Sequence, residues 1–156
     1  MDALREIEAI KRLKYKYMRC LDLKLWDEMA DCFAPDASSA YSGGKYSYQG
    51  RDAIIGFFRD AMGREMITAH HVHHPEIELI DATHARGTWA LEDTVIHTQH
   101  DFTLRGAAFY RDEYVKLDGS WRIQHTGYER VYEEMQPRKD VPGLVLTQNM
   151  WESGSD

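Results

Sequence analysis

The sequence predicts an α+β fold in which helices lead and a meander of antiparallel strands follows. Three observations carry that expectation. Apart from one short hairpin, apolar residues recur every three or four positions as far as Met62, as on the buried stripe of an amphipathic helix. From Met66 onward the apolar period shortens to two, the spacing of the core face of a strand. Asp118-Gly119 then supplies a tight turn between two strand-like runs. In such an arrangement a curved sheet folds around the helices.

The first helix carries Leu4, Ile7, Ile10, Leu13 and Tyr17 on one face and finishes near Asp22. Lys11, Arg12, Lys14 and Lys16 point in other directions and are expected in water. Tyr17 therefore presents a phenol to the interior, and Asp22 adds a carboxylate near the helix end. The same pattern also describes a core tyrosine with a polar tip and a solvated aspartate. A short second helix continues through Trp26, Met29, Ala30 and Phe33 and stops at Pro35-Asp36. Two short strands, Ser39–Tyr41 and Tyr46–Tyr48, flank Gly43-Gly44, whose freedom at positive φ suits a hairpin.

A third helix runs from about Asp52 to Met62, with Gly63 as its stop. Ile77 and Leu79 then share one strand face with Trp89, Leu91 and Val95 of the next strand, across a turn at Asp81–His84. Gln99-His100-Asp101 marks a further turn, Ala107–Val115 a strand, and Trp121–His125 its hairpin partner. The tail from Pro137 has no clear period. Residues 1–135 read as one domain and 136–156 as its C-terminal extension.

At 156 residues and 43% hydrophobic content, the chain suffices for one core and is too short for two. A net charge of −7, with no Lys/Arg stripe among aromatics, argues against a nucleic-acid partner. No run approaches the roughly 18 apolar residues of a membrane span, and the first residues are charged rather than leader-like, so a cytoplasmic protein is expected. Cys20 and Cys32 show no metal or redox spacing and read as buried, reduced residues.

His70-His71-Val72-His73-His74 places four of the eight histidines within five positions. No Glu or Cys follows at a zinc spacing, so no metal is expected, and a histidine acting as general acid and base fits better. Asp93 is the natural companion, because a hairpin centred near Ala82 and Thr83 lays it beside His70–Val72. It shares the face of Trp89 and Leu91, so its carboxylate enters an apolar interior and needs a partner. That partner is either a histidine it orients or a buried backbone or tyrosine group. Strict alternation from Ile77 points His71 and His73 toward Asp93, whereas a bulge at Pro75 would turn His70, Val72 and His74 inward. Parity leaves both open.

Tyr17-Met18-Arg19-Cys20-Leu21-Asp22, Trp26-Asp27-Glu28, Tyr41-Ser42, His70, His73-x-Pro75-Glu76, Trp89-x-Leu91-Glu92-Asp93, Gly106–Tyr110 and Thr126-Gly127-Tyr128-x-Arg130 occur in one order along most of the chain. Together they resemble a SnoaL-like member of the nuclear transport factor 2-like superfamily, most similar to the bile acid 7α-dehydratases. The resemblance implies a cone-shaped barrel, its strongly curved, mainly antiparallel sheet wrapped around a long N-terminal helix with two shorter ones. It implies catalysis without metal or organic cofactor by Tyr17 and His70, supported by Asp22 and Asp93, with His70 held by Asp93 and Tyr17 polarised near Asp22. Tyr41, Tyr110, Tyr128 and Arg130 match pocket positions, and Trp89, Leu91, Phe109 and His73 are expected to line the same pocket. His97–Leu104 and His71–His74 depart from the dehydratase pattern, which bears on the substrate.

The implied activity is a dehydratase, a carbon–oxygen lyase eliminating water from a hydrophobic, steroid-like or polycyclic hydroxy-ketone. An isomerase or cyclase in the same pocket is the alternative, as is a non-catalytic ligand-binding or assembly module. The apolar outer face of a single curved sheet needs a cover, so a homo-oligomer is expected, a trimer first and a dimer second.

Overall fold

The computed structural model describes residues 2–152, so 153–156 of the expected extension lie outside the described residues. Helix α1 (Ala3–Asp22) is followed by α2 (Trp26–Ala30), β1 (Phe33–Tyr41), β2 (Tyr46–Gln49) and α3 (Arg51–Ala61). Four long strands complete the order: β3 (Met66–Leu79), β4 (His84–His97), β5 (Phe102–Leu117) and β6 (Ser120–Pro137), with a 3₁₀ turn at Arg138–Asp140. They form one curled sheet in the order β2-β1-β6-β5-β4-β3, antiparallel at every pairing except β1 with β6. This is the expected α+β cone, with α1 laid along the inside of the curl. Among the described residues no helix is long and apolar enough to cross a membrane.

Ile10, Leu13, Tyr17, Met18 and Leu21 of α1 are buried against the sheet, each worth roughly 1.5–3 kcal/mol relative to exposure. At the helix's first turns, Glu6 accepts hydrogen bonds from Lys116 Nζ (2.9 Å) and Trp121 Nε1 (2.6 Å), tying α1 to β5 and β6. Lys24 turns the chain at φ 55° after the helix, and its Nζ donates to Met66 O at 2.6 Å.

Two sequence expectations are corrected here. The second helix ends at Ala30, and Phe33 opens β1 rather than closing a helix. Pro35 does not stop a helix; it lies in the strand where pairing to β6 is interrupted between Phe33 and Ser38, the place a residue without an N–H is tolerated. The second correction is Lys14, which is fully buried instead of solvated. It follows Ile10 by four residues and precedes Tyr17 by three, so it shares their face, and Asp112 compensates its charge at 2.8 Å.

Candidate active site

The histidine run falls on β3, where the pairing with β4 settles its parity. Register runs unbroken from Met66↔His97 to His73↔Ala90 and resumes at Glu76↔Thr88, so β3 carries one extra residue. His74, at φ 31° beside Pro75, is where that bulge bends the strand. Thr68, His70 and Val72 therefore face inward with Ile77 and Leu79, and His71 and His73 face outward. His73 Nε2 meets Glu92 at 2.9 Å on the exposed face, so it does not line the pocket. Among the described residues no three His, Cys, Asp or Glu side chains gather as a metal-sized group.

His70 stands opposite Asp93 across β3 and β4, yet Asp93 is not the carboxylate that holds it. Asp22, at the last residue of α1, takes that part: His70 Nδ1 lies 2.6 Å from Asp22 Oδ1, and His70 N–H donates to Oδ2 at 2.8 Å. Thr68 Oγ1 donates to Oδ1 at 2.9 Å. A carboxylate at a helix C-terminus is disfavoured by the helix dipole, and these three donors offset that cost. Because an ionised carboxylate only accepts, the proton sits on Nδ1 and leaves Nε2 as the basic nitrogen.

Asp93 instead receives both terminal nitrogens of Arg130, Nη2 at 2.9 Å and Nη1 closer still. Partial burial disfavours the charged guanidinium of Arg130, but its hydrogen bonds and ion pair with Asp93 outweigh that and hold it above the ordinary arginine range. Arg130 Nε also donates to Glu133 at 3.1 Å. Gly106, opposite Asp93 on β5, makes room for the guanidinium: a Cβ there would stand 2.5 Å from Arg130 Nη1.

Tyr17 is fully buried, and its partner is Tyr41, the two hydroxyls 2.8 Å apart, rather than Asp22, whose oxygens are committed to β3. Tyr110 and Tyr128 pack edge to face at 5.6 Å, and Tyr110 meets Tyr17 in the same way at 6.3 Å. Burial pushes the phenols of Tyr17, Tyr41 and Tyr110 well above the usual tyrosine value, so all three stay protonated donors.

These side chains surround one cavity of about 350 Å³, within the size range of small-molecule sites. Its polar wall holds Tyr17, Tyr41, Tyr110, Tyr128, Thr68, His70, Asp93 and Arg130; Asp22 stands behind His70. Ser42, Lys45, Tyr46 and Glu133 add further polar groups, and Leu21, Phe57, Phe58, Met62, Met66, Val95, Phe102 and Leu104 form most of the apolar remainder. Trp89 and Leu91 also face inward but lie deeper in the core, where Trp89 Nε1 donates to Tyr114 OH at 2.9 Å, so neither lines the cavity. Phe109 is 45% exposed on the outer face, because it alternates with Ala108 and Tyr110 along β5. Phe57 and Phe58 of α3 were not expected in the pocket wall, nor was the buried pair of Lys14 with Asp112 expected in the interior. Asp112 keeps the inward parity of Tyr110 and Tyr114, the same signal that singled out Asp93.

The profile of the SnoaL-like domain matches residues 2–127. A candidate scytalone dehydratase from Novosphingobium aromaticivorans is similar in structure, with a TM-score of 0.78 and 23% identity over 85% of this chain and 88% of that one. Hexachlorocyclohexane dehydrochlorinase LinA-type3 from Novosphingobium barchaimii aligns with a TM-score of 0.80 and 18% identity over 94% and 97% of the two chains. A protein of unknown function from Mycobacterium tuberculosis aligns at 0.72 with 25% identity over 83% and 73%. The fold, and a family profile spanning most of its length, place this chain in the SnoaL-like domain family of the nuclear transport factor 2-like superfamily.

Proposed function

We propose that the cavity is the active site of a dehydratase that removes water from a hydrophobic, polycyclic hydroxy-ketone, using its own side chains. The observation that carries this reading is the convergence on one cavity of a carboxylate-held histidine, His70 with Asp22 at 2.6 Å, and a hydrogen-bonded phenol pair, Tyr17 with Tyr41 at 2.8 Å.

His70 Nε2 takes a proton from the carbon activated by the ketone, and the C–H electrons flow toward the carbonyl oxygen. The enolate oxygen that results is met by a phenol hydroxyl of the Tyr17–Tyr41 pair, a neutral donor in a water-poor wall, of a kind worth about 3–4 kcal/mol. One phenol donating to the other strengthens the terminal hydroxyl. When the enolate collapses, the C–O bond breaks and the new C=C bond forms. The His70 imidazolium returns its proton to the leaving hydroxide, so water departs and His70 is neutral again. Asp22 fixes the tautomer throughout and stabilises the transient imidazolium. Asp93, beside His70 on the neighbouring strand, keeps Arg130 charge-balanced in the same wall.

The apolar remainder of the cavity suits a ring system, and resemblance to the bile acid 7α-dehydratases favours a steroid. An unfilled cavity also favours an enzyme over an assembly module, whose core would be packed by side chains. Exposed Phe109, Val131, Tyr132 and Met135 on the sheet and Val145 and Met150 beyond it support a homo-oligomer, and the family resemblance favours a trimer, with a dimer second. Incubation with hydroxylated 3-oxo steroids tests the activity: the conjugated product is expected as a new ultraviolet absorbance. A substrate consumed without loss of water would point to the isomerase alternative.

A further inference from the structure

Beneath the phenols lies a charged pair that the proposed proton transfers leave unused. The side chains of Lys14 and Asp112 have no exposed surface, and Nζ lies 2.8 Å from Asp112 Oδ2. Asp112 also accepts hydrogen bonds from Tyr114 OH and Thr126 Oγ1, each at 2.7 Å. Taking such a pair out of water costs several kcal/mol per ion, and apolar residues of similar volume are often as stable. Packing alone is therefore a weak reason for these residues.

Burial works against the charged form of Lys14 and Asp112 supports it, and two aromatic rings also face its Nζ. Nζ is 3.4 Å from the centroid of the Tyr110 ring and 4.7 Å from that of Tyr17, and both rings belong to the cavity wall. We propose that Lys14 is a positioning residue that works through the face of Tyr110, and more weakly of Tyr17, to strengthen these phenols as hydrogen-bond donors to an oxyanion in the cavity. That the oxyanion is an enolate rests on the dehydratase reading; the charge arrangement does not.

The physical reason is where charge moves. A phenol that donates to an oxyanion gains negative charge on its oxygen and ring, and a cation on the ring face stabilises that state. Tyr110 is also faced by Tyr17 and by Lys14 of α1, Tyr41 of β1, Tyr128 of β6 and Asp112 of its own strand. Burial, Tyr41, Tyr128 and Asp112 oppose its ionisation, and the hydrogen bond with Tyr17 favours it. The ammonium favours it too, and it is the charge in contact with the ring, whereas Asp112 is shared between that ion pair and the hydroxyls of Tyr114 and Thr126.

Fluorine NMR of the full chain with Tyr110 replaced by difluorotyrosine tests the point, because the fluorinated phenol ionises at lower pH and its signal follows that ionisation. Lys14→Met combined with Asp112→Asn removes both charges without leaving one buried alone. The ionisation midpoint is expected to rise by about one pH unit, from a net Coulomb effect near 1.4 kcal/mol. An unchanged or lower midpoint in a variant that keeps its near-ultraviolet circular dichroism would overturn the proposal. If that variant does not fold, the unsubstituted protein decides: nitrogen NMR must show Lys14 as a charged ammonium at neutral pH, and a neutral amine would refute its role. Neither readout uses a substrate, so a cavity that dehydrates nothing leaves this result standing, and the converse holds.

Discussion

His70 and Asp22 are 48 residues apart in sequence and 2.6 Å apart in space, joined twice, through the imidazole and through the His70 backbone N–H. The double contact fixes both the ring's tautomer and the strand that carries it. Asp22→Asn offers an amide in place of a pure acceptor and allows the opposite tautomer. Turnover is expected to fall by about a hundredfold or more, as for loss of a histidine-orienting carboxylate. His70→Ala should cost at least as much, and the two together little more than His70→Ala alone. Asp93→Asn should mainly weaken folding, through Arg130. A larger fall in the rate for bound substrate from Asp93→Asn than from Asp22→Asn would reverse the assignment.

Tyr17→Phe and Tyr41→Phe test the phenol pair. Whichever hydroxyl faces the oxyanion should cost about two to three orders of magnitude in rate when removed, with substrate binding little changed. Its partner should cost less, since it acts only through the first. The double variant should fall short of the summed free energies, because both groups serve one transition state. Strict additivity in single-turnover rates would separate their roles.

Gly106→Ala probes the wall behind Asp93. The added methyl would meet Arg130 Nη1 at 2.5 Å and the Tyr132 carbonyl oxygen at 2.9 Å, so the strand or the guanidinium must shift. A destabilisation of about 1–3 kcal/mol is expected in urea unfolding, the usual scale of overpacking. In an Arg130→Ala background the cost should shrink without vanishing, because the backbone contact remains.

Buried phenols also set the response to alkali. Burial raises the phenols of Tyr17, Tyr41, Tyr110 and Tyr114 above the ordinary tyrosine value. Above pH 10 the unfolded chain releases these protons while the folded chain keeps them, so the unfolded state binds fewer protons and stability falls as pH rises. Each such phenol contributes a slope of up to about 1.4 kcal/mol per pH unit. Tyr17→Phe with Tyr41→Phe should make the decline in unfolding free energy visibly shallower between neutral pH and the alkaline limit. An unchanged slope would show that these phenols ionise freely in the folded state.

The sequence by itself determined the periods, and the periods determined the elements and their faces. Ile10, Leu13 and Tyr17 had to share the buried side of α1, and Asp93 had to enter the interior with Trp89 and Leu91. Depth along that interior was not legible: Trp89, Leu91 and Asp93 follow one parity, yet only Asp93 reaches the cavity, because period two assigns a face and not a position along the cone. The choice of His70 over His71 and His73 was left to the bulge at His74, which one extra residue in a strand pairing decides. Partners were the tertiary structure's decision throughout. The crossing of α1 over β3 gave His70 to Asp22, the curl of the sheet gave Asp93 to Arg130 and Tyr17 to Tyr41, and the approach of α1 to β5 put Lys14 beside Asp112. Each of these pairs joins residues at least 24 positions apart, and contacts of that range depend on register and packing angle, which local spacing does not encode.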